Sequence, residues 1–216
     1  MSRPIRSTLV AVAALLALGT AQPAAATLVT VMLAGEVTDV QNGNPFGIVA
    51  SIGDAVTATF TYDTAAAGQA VNQATAYAQT APSSYQLVID GIIIEPDTND
   101  WLVAFLNEAL FDAIYFEHNS NLPGTIAVDG VPESNAEFQI RLEDTTGTLL
   151  VDETALPLIP ALGQWTNAGG FFRDNATAAT IYFDITSLTQ VPEPGTLSLL
   201  ALGLATVACA GRRRER

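Results

Sequence analysis

The sequence predicts an all-β fold for residues 27–190, an antiparallel β-sandwich of the jelly-roll or Greek-key type. Several segments alternate apolar and polar residues with the period of two that a half-buried strand requires. Clusters of Gly, Asn, Asp and Pro separate these segments at short intervals, as turns do in an antiparallel sheet. Residues 1–26 and 191–216 differ in composition from this middle part, and each is predicted to be a separate unit.

Residues 1–26 have the three parts of a secretory signal peptide. Arg3 and Arg6 give a positive start, residues 9–18 are apolar, and Ala24 and Ala26 occupy the −3 and −1 positions of a cleavage site. The apolar run is far shorter than the ~20 residues that a membrane-spanning helix needs. We therefore expect cleavage near Ala26.

Four segments carry the clearest strand patterns. In residues 56–62 apolar residues alternate with threonines, and in residues 136–142 they alternate with Glu, Gln and Arg. Residues 85–89 and 92–94 flank Asp90-Gly91, a dipeptide that tolerates the positive φ angles of a two-residue hairpin turn. Further strands are expected at residues 28–40, 102–105, 113–116, 148–152 and 179–185.

The segments between these strands are less regular. Residues 65–81 are rich in Ala, Gln and Asn without an apolar face, which predicts a loop with at most one helical turn. Residues 105–113 fit either a helical turn or two strands, and two strands are favoured. The last strand is expected to end at Ile185 or Leu188, which leaves a linker of about three to five residues before Val191. Turns are expected at residues 42–45, 119–121, 144–147 and 169–170.

The middle part is strongly acidic. Of the 22 acidic residues, 20 lie in residues 27–190, where only Arg141 and Arg173 oppose them, so this part has a formal charge of −18. Such a surface repels nucleic-acid phosphates and anionic membranes, and neither is an expected partner. The only cysteine, Cys209, lies outside this part, so no internal disulfide is possible.

No familiar catalytic arrangement occurs, and the sequence predicts a protein that is not an enzyme, with no catalytic residues. His118 is the sole histidine, and no Gly-x-Ser-x-Gly, His-Glu-x-x-His or phosphate-binding loop is present. We expect His118 to be a polar residue where a strand enters a turn. Two carboxylates at a suitable separation could still hydrolyse a glycoside. The favoured interpretation of so many acidic residues is a solvated surface.

Two acidic segments offer the oxygen ligands that calcium prefers. One is Asp174-Asn175, and the other is residues 95–100. The second segment lacks the glycine and the closing glutamate of an EF-hand, so an ordinary acidic turn is the alternative there. No other cofactor or metal site is expected. The residues of the second segment are Glu95, Asp97, Asn99 and Asp100.

Aromatic side chains could stack against a sugar, although most of them are expected to fill the core. Trp165 lies in a segment rich in Gly and Asn, and we expect it to be the most exposed ring and the best candidate for a glycan contact. The Trp and Tyr residues considered are Tyr62, Tyr77, Tyr85, Trp101, Tyr115, Trp165 and Tyr182.

Residues 191–216 have three parts in a defined order. Pro192 and Pro194 keep the backbone extended, and Pro194 can open the helix that follows. The sixteen uncharged residues 196–211 span about 24 Å as a helix, which is shorter than the ~30 Å hydrocarbon core. The arginines beyond them would stay in the cytoplasm and place the middle part outside. The motif residues are Val191, Pro192, Glu193 and Pro194, and the basic cluster is Arg212, Arg213, Arg214 and Arg216.

This three-part order resembles the PEP-CTERM sorting signal, a tail also catalogued as the C-terminal domain of ice-binding proteins. The resemblance implies export through the secretion translocon of a Gram-negative bacterium that makes exopolysaccharide. It also implies recognition of Pro192-Glu193-Pro194 by an exosortase, a membrane cysteine peptidase or transpeptidase. The C-terminal helix would anchor the protein in the membrane until the exosortase releases the middle part to the cell surface or medium. A permanent single-pass anchor is the alternative that the residues leave open.

Three kinds of function are therefore expected for residues 27–190, in this order. The first is a structural or interaction role in the exopolysaccharide matrix or biofilm. The second is a lectin-like, glycan-binding module, and the third is a secreted glycosidase. Ice binding ranks below them because the alternating threonines at 57, 59 and 61 are too few for a regular array.

Overall fold

The computed structural model describes residues 28–71, 74–80, 83–97, 101–108, 111–118, 125–150 and 159–191. The predicted signal peptide and residues 192–216 lie outside these ranges. Two short 3-10 turns, Pro45–Gly47 and Leu162–Gln164, accompany the strands. The strands are β1 Leu28–Gln41, β2 Ala55–Asp63, β3 Gly68–Val71, β4 Ala74–Gln79, β5 Ser84–Ile89, β6 Ile92–Pro96, β7 Trp101–Glu108, β8 Phe111–His118, β9 Ile126–Val128, β10 Val131–Glu133, β11 Ala136–Asp144, β12 Asn167–Asp174 and β13 Thr180–Val191.

All the described strands belong to one antiparallel sheet. Their order from edge to edge is β10-β9-β6-β5-β2-β1-β13-β12-β11-β8-β7-β4-β3. The predicted all-β antiparallel class is confirmed. The predicted sandwich of jelly-roll or Greek-key type is not confirmed, because the described strands form a single continuous sheet.

The sheet curls over one aromatic core. Phe60 on β2 stacks on Phe116 on β8 with their ring centroids 4.4 Å apart, although four strands lie between β2 and β8 in the sheet. Phe60 also contacts Trp101 and Phe138 at 5.5 and 6.1 Å. Neighbouring strands lie about 4.8 Å apart, so only a curled sheet can bring these rings together. The apolar residues of the alternating strands fill the inside of this curl.

The first and last strands form the seam between the two arms of the sheet. β1 pairs with β13 from Thr30 opposite Val191 to Gln41 opposite Thr180. The ladder shifts register after Ala34 and again before Asp39, and such bulges increase the local twist. The β1–β13 ladder is the connection between β10-β9-β6-β5-β2 on one side and β12-β11-β8-β7-β4-β3 on the other.

The predicted hairpin at Asp90-Gly91 is confirmed. These residues have φ angles of 49° and 83° and join β5 to β6. Asp129-Gly130, with φ angles of 49° and 76°, makes the same kind of turn between β9 and β10, which the sequence interpretation did not identify. The two strands favoured for residues 105–113 are also confirmed, since β7 and β8 pair there.

Three local predictions were wrong. Residues 65–81 were expected to form a loop, but they contain β3 and β4, and Tyr77 on β4 stacks on Phe105 at 5.5 Å. Gly169-Gly170 was expected to be a turn but lies inside β12, where both glycines pair with β11 and β13. The expected linker before Val191 is absent because β13 continues to Val191 itself.

The strand expected at residues 148–152 is not formed over residues 148–150. The backbone N–H groups of Leu149 and Leu150 instead donate to Oδ2 of Asp112, at 2.7 and 2.8 Å. Residues 151 and 152 lie outside the described part of the chain, as does the turn expected at residues 119–121.

Candidate functional site

The first residue of the predicted sorting motif is the last described residue of β13. Val191 is the last residue of β13, is 40% exposed, and pairs with Thr30 near the start of β1. Pro192, Glu193, Pro194 and the arginine cluster lie outside the described residues, and so do Ala24 and Ala26. The described chain therefore places Leu28 and Val191, the residues next to the two predicted processing sites, at the same end of the β1–β13 seam.

Within the described ranges, which exclude residues 192–216, no helix is long and apolar enough to cross a membrane.

A cleft of about 720 Å³ lies on the outer face of β11, β12 and β13. Its floor is Gly169 on β12, which pairs with Arg141 on one side and Asp184 on the other. A Cβ atom at Gly169 would lie 2.8 Å from the backbone oxygen of Phe183. The lack of a side chain thus lets β13 approach β12 closely here, and the Asp184 Oδ1 atom lies 3.3 Å from the position that a Cβ atom would take.

One wall of the cleft carries an ion pair and the other carries a carboxylate. Nη2 of Arg141 lies 3.1 Å from Oε2 of Glu143, and the two side chains are 49% and 8% exposed. Asp184 is exposed on the opposite wall, and within the described chain it has no ion-pair partner. Gln139 and Asn167 add amide groups to the lining. The cleft therefore offers both hydrogen-bond donors and acceptors.

One end of the cleft is aromatic. Tyr182 on β13 is 37% exposed, and its ring centroid lies 6.3 Å from that of Phe171 on β12. The Arg173 guanidinium lies 5.1 Å from the centre of the Phe171 ring and donates to Glu137 at 2.9 Å. This chain of contacts supports the Tyr182 ring from one side.

The expectation that Trp165 is exposed was wrong. Trp165 is 7% exposed and packs in the core. Its Nε1 donates to the backbone oxygen of Pro160 at 3.2 Å, which satisfies the one polar atom of the ring. Tyr182 is the exposed ring beside a cleft, whereas four other aromatic candidates are buried, as expected. These four are Tyr62, Tyr77, Tyr85 and Trp101.

The calcium candidates are only partly described. Asp97 accepts a hydrogen bond of 2.6 Å from the Thr125 hydroxyl, and Glu95 lies half-buried on β6. Asn99 and Asp100 fall in an undescribed gap, so calcium binding by this segment stays a prediction. In the described ranges no three or more His, Cys, Asp and Glu side chains are grouped as a metal site would require.

The second calcium candidate, Asp174-Asn175, lies in a turn between β12 and β13. The Asp174 carboxylate accepts hydrogen bonds from the Ala176 N–H at 2.8 Å and from the Thr177 hydroxyl at 2.7 Å. Asn175 donates to Glu137 at 2.8 Å. These bonds are those of a side chain that closes its own turn.

Two buried carboxylates were not identified from the sequence. Asp112 on β8 and Asp144 on β11 lie opposite each other and are 0% and 4% exposed. The Thr146 N–H donates to Asp144 at 3.0 Å, and the Thr146 hydroxyl lies 2.8 and 2.7 Å from its two oxygens. The bonds from Thr146, backbone first, hold the pKa of Asp144 below its ordinary value. They fix the turn predicted after β11.

His118 is the last residue of β8 and is buried. Its ring centroid lies 6.4 Å from that of Tyr85. The turn expected to follow His118 lies in the undescribed residues 119–124.

Burial, and to a smaller extent the charge of Glu95, raises the pKa of Tyr85 well above that of a free tyrosine.

Comparison with known proteins identifies the C-terminal segment. Residues 190–214 match the family model of the PEP-CTERM protein-sorting motif. No curated protein and no solved structure matches the chain. The matched residues include Val191, Pro192, Glu193 and Pro194 and three of the four clustered arginines. The motif supports export followed by processing by an exosortase, and the chain carries a PEP-CTERM protein-sorting motif at residues 190–214.

Proposed function

We propose that the protein is exported, is held in the inner membrane by its sorting tail, and is released by an exosortase to act outside the cell. There it has a non-catalytic interaction role in the exopolysaccharide matrix. The observation that carries the proposal is the PEP-CTERM match, which begins at Gln190, one residue before the last residue of β13.

The properties of the β domain support a role outside the cell. Its formal charge of −18 suits a soluble extracellular protein that is not attracted to anionic membranes or nucleic acids. It contains no cysteine, so its folding requires no disulfide formation after export. Its long β1–β13 ladder instead ties the two ends of the domain together through hydrogen bonds.

The sorting step is tested by replacing Pro192, Glu193 and Pro194 with alanine in the full-length chain. We expect the variant to stay in the inner membrane, with an intact mass that retains residues 195–216. The matched control is the second Val-Pro-Glu tripeptide at Val131–Glu133, which forms β10 at one edge of the sheet. Alanine at Pro132 and Glu133 should leave release unchanged.

Two results would contradict the sorting proposal. One is release of the alanine variant at the wild-type rate. The other is a wild-type protein whose mass in its native cells retains residues 195–216 in the inner membrane, which would make the tail a permanent anchor.

The matrix role is tested by sedimentation of the exported protein with exopolysaccharide purified from the cells that produce it. We expect cosedimentation that increases with polysaccharide concentration. Absence of binding to every fraction of that polysaccharide would reject the matrix role without affecting the sorting step.

A further inference from the structure

We propose that the cleft floored by Gly169 binds an uncharged saccharide chain, with Tyr182 as the stacking surface and Arg141, Glu143 and Asp184 as hydrogen-bonding groups. The inference rests on the proposed matrix role and gives it a site and a ligand class.

The size and place of the cleft fit a ligand of this kind. Its volume of about 720 Å³ lies within the roughly 300–1,000 Å³ of small-molecule sites. Arg141 and Asp184 stand on strands either side of β12, so their backbones are about 9.6 Å apart. The lining residues lie on three neighbouring strands at the outer face of the sheet, so a chain bound there can continue beyond the cleft.

The chemistry of the walls matches sugar hydroxyl groups, each of which can donate and accept a hydrogen bond. Arg141 presents N–H donors, while Asp184 and Glu143 present carboxylate oxygens. Glu143 has only 8% of its side chain exposed and is held by Arg141 at 3.1 Å, so its position is defined before any ligand arrives. Tyr182 adds an apolar ring face with a polar tip, which suits the apolar face of a pyranose.

The charges of the cleft favour an uncharged chain over an acidic one. The charges of Arg141 and Glu143 cancel because these two side chains form an ion pair. The remaining charge on the cleft walls is therefore the negative charge of Asp184. Glu36 on β1 lies directly opposite Asp184 in the ladder and adds a second negative charge beside the cleft. A uronate or sulfate group would meet this negative field within a strongly acidic domain.

The site is rigid because its parts are on strands. Gly169 lies inside the sheet, opposite Arg141 on β11 and Asp184 on β13. Its neighbour Gly170 packs under the Phe183 ring, where a Cβ atom would lie 2.8 Å from the ring. Phe171 and Arg173 support Tyr182 from the adjacent strand. A preformed site loses less conformational entropy on binding than a mobile loop.

The test uses the exported protein and two probes, the neutral and the acidic fractions of exopolysaccharide from the producing cells. We expect binding to the neutral fraction. Tyr182→Ala should weaken that binding about tenfold or more, while Tyr182→Phe, which keeps the ring, should retain most of it. Asn167→Trp, which adds a large ring at an exposed lining position, should block the cleft without touching the Gly169 backbone.

Met32→Ala is the matched control, because Met32 is 50% exposed on β1 and does not line the cleft. Circular dichroism and the urea midpoint would show that each variant is folded. If the wild-type binds the neutral fraction but Tyr182→Ala and Asn167→Trp bind it equally well, the cleft assignment is wrong while the matrix role stands. Preferential binding to the acidic fraction would overturn the ligand class. Release of reducing ends from the neutral fraction would show a glycosidase instead of a binding site.

Discussion

Replacing Gly35 with alanine should break the seam of the sheet. Gly35 lies on β1 at the first register shift, opposite Ile185 on β13. A Cβ atom there would lie 1.8 Å from the backbone oxygen of Asp184 and 2.9 Å from its carbonyl carbon. Because the obstacle is backbone, no side-chain rotation can relieve the overlap, and the two strands must move apart.

The cost follows from that displacement. Ordinary contacts of a Cβ atom are 3.4–4 Å, so β1 and β13 must separate by well over an ångström at this point. Losing two ladder hydrogen bonds costs about 2 kcal/mol, and overpacking strain adds about 1–3 kcal/mol. We therefore expect Gly35→Ala to lower the free energy of unfolding by about 3–5 kcal/mol, a large share of the ~5–15 kcal/mol typical of a domain.

Urea titration of the exported protein, followed by tryptophan fluorescence, measures this change. Trp101 and Trp165 are 1% and 7% exposed, so both rings report the loss of the core. Gly163→Ala is the matched control, since a Cβ atom at Gly163 has no neighbour within 4 Å. Its effect should stay within about 0.5 kcal/mol of wild type. Equal midpoints for the two variants would refute the close approach of β1 and β13 at Gly35.

Three further measurements test the packing and the buried ionisable groups. Phe60→Ala should cost about 3–5 kcal/mol in urea unfolding, because it removes the ring that joins the two arms. The lowered pKa of Asp144 gives stability that is present above pH 3.8 and lost as pH falls through the folded pKa, so Asp144→Asn should flatten acid unfolding. An unchanged acid limb would contradict the role of Thr146. Burial raises the pKa of Tyr62 and Tyr85 above 10.0, so stability should fall as pH rises beyond that value, and the part of the tyrosinate absorbance that comes from these two rings should appear only on unfolding.

Patterns confined to a few neighbouring residues predicted the structure well. The alternation in residues 56–62 and 136–142 became β2 and β11, because one face of each strand contacts the core and the other contacts solvent. The Asp90-Gly91 hairpin was predictable because its positive φ angles are a property of the dipeptide itself. The sorting motif was predictable for a similar reason, since its three parts follow one another along the chain.

Features that depend on distant residues were not predictable in this way. The pairing of β1 with β13 turns a possible sandwich into one sheet, and no local pattern encodes the meeting of residues so far apart. β4 lacks an alternating pattern of large residues, and its strand state depends on the stack of Tyr77 against Phe105. Gly169-Gly170 resembles a turn in sequence, but a glycine in a strand can also mark the close approach of another backbone or a ligand. That interpretation would have located the cleft.

The continuation of β13 to Val191, without a linker before that residue, has a consequence for processing. Val191 is still paired with Thr30, so the described sheet reaches the residue before Pro192, and a membrane enzyme must reach the motif beside a folded domain. Opening the last ladder pair costs about 1 kcal/mol, which reduces the open population roughly fivefold. Inserting Gly-Ser-Gly-Ser-Val between Val191 and Pro192, which keeps a valine directly before the Pro-Glu-Pro tripeptide, should remove that cost and speed release by up to about fivefold.

Pulse-chase labelling of the full-length chain, with intact and released forms separated by mass, measures the rate. The control carries the same insertion between Gly43 and Asn44, in an exposed turn where a Cβ atom at Gly43 would have no neighbour within 4 Å. That variant should be released at the wild-type rate. If the linker variant is released no faster than the control, the end of the sheet does not limit access to the motif, and the exosortase must accept Pro192-Glu193-Pro194 directly against the folded strand.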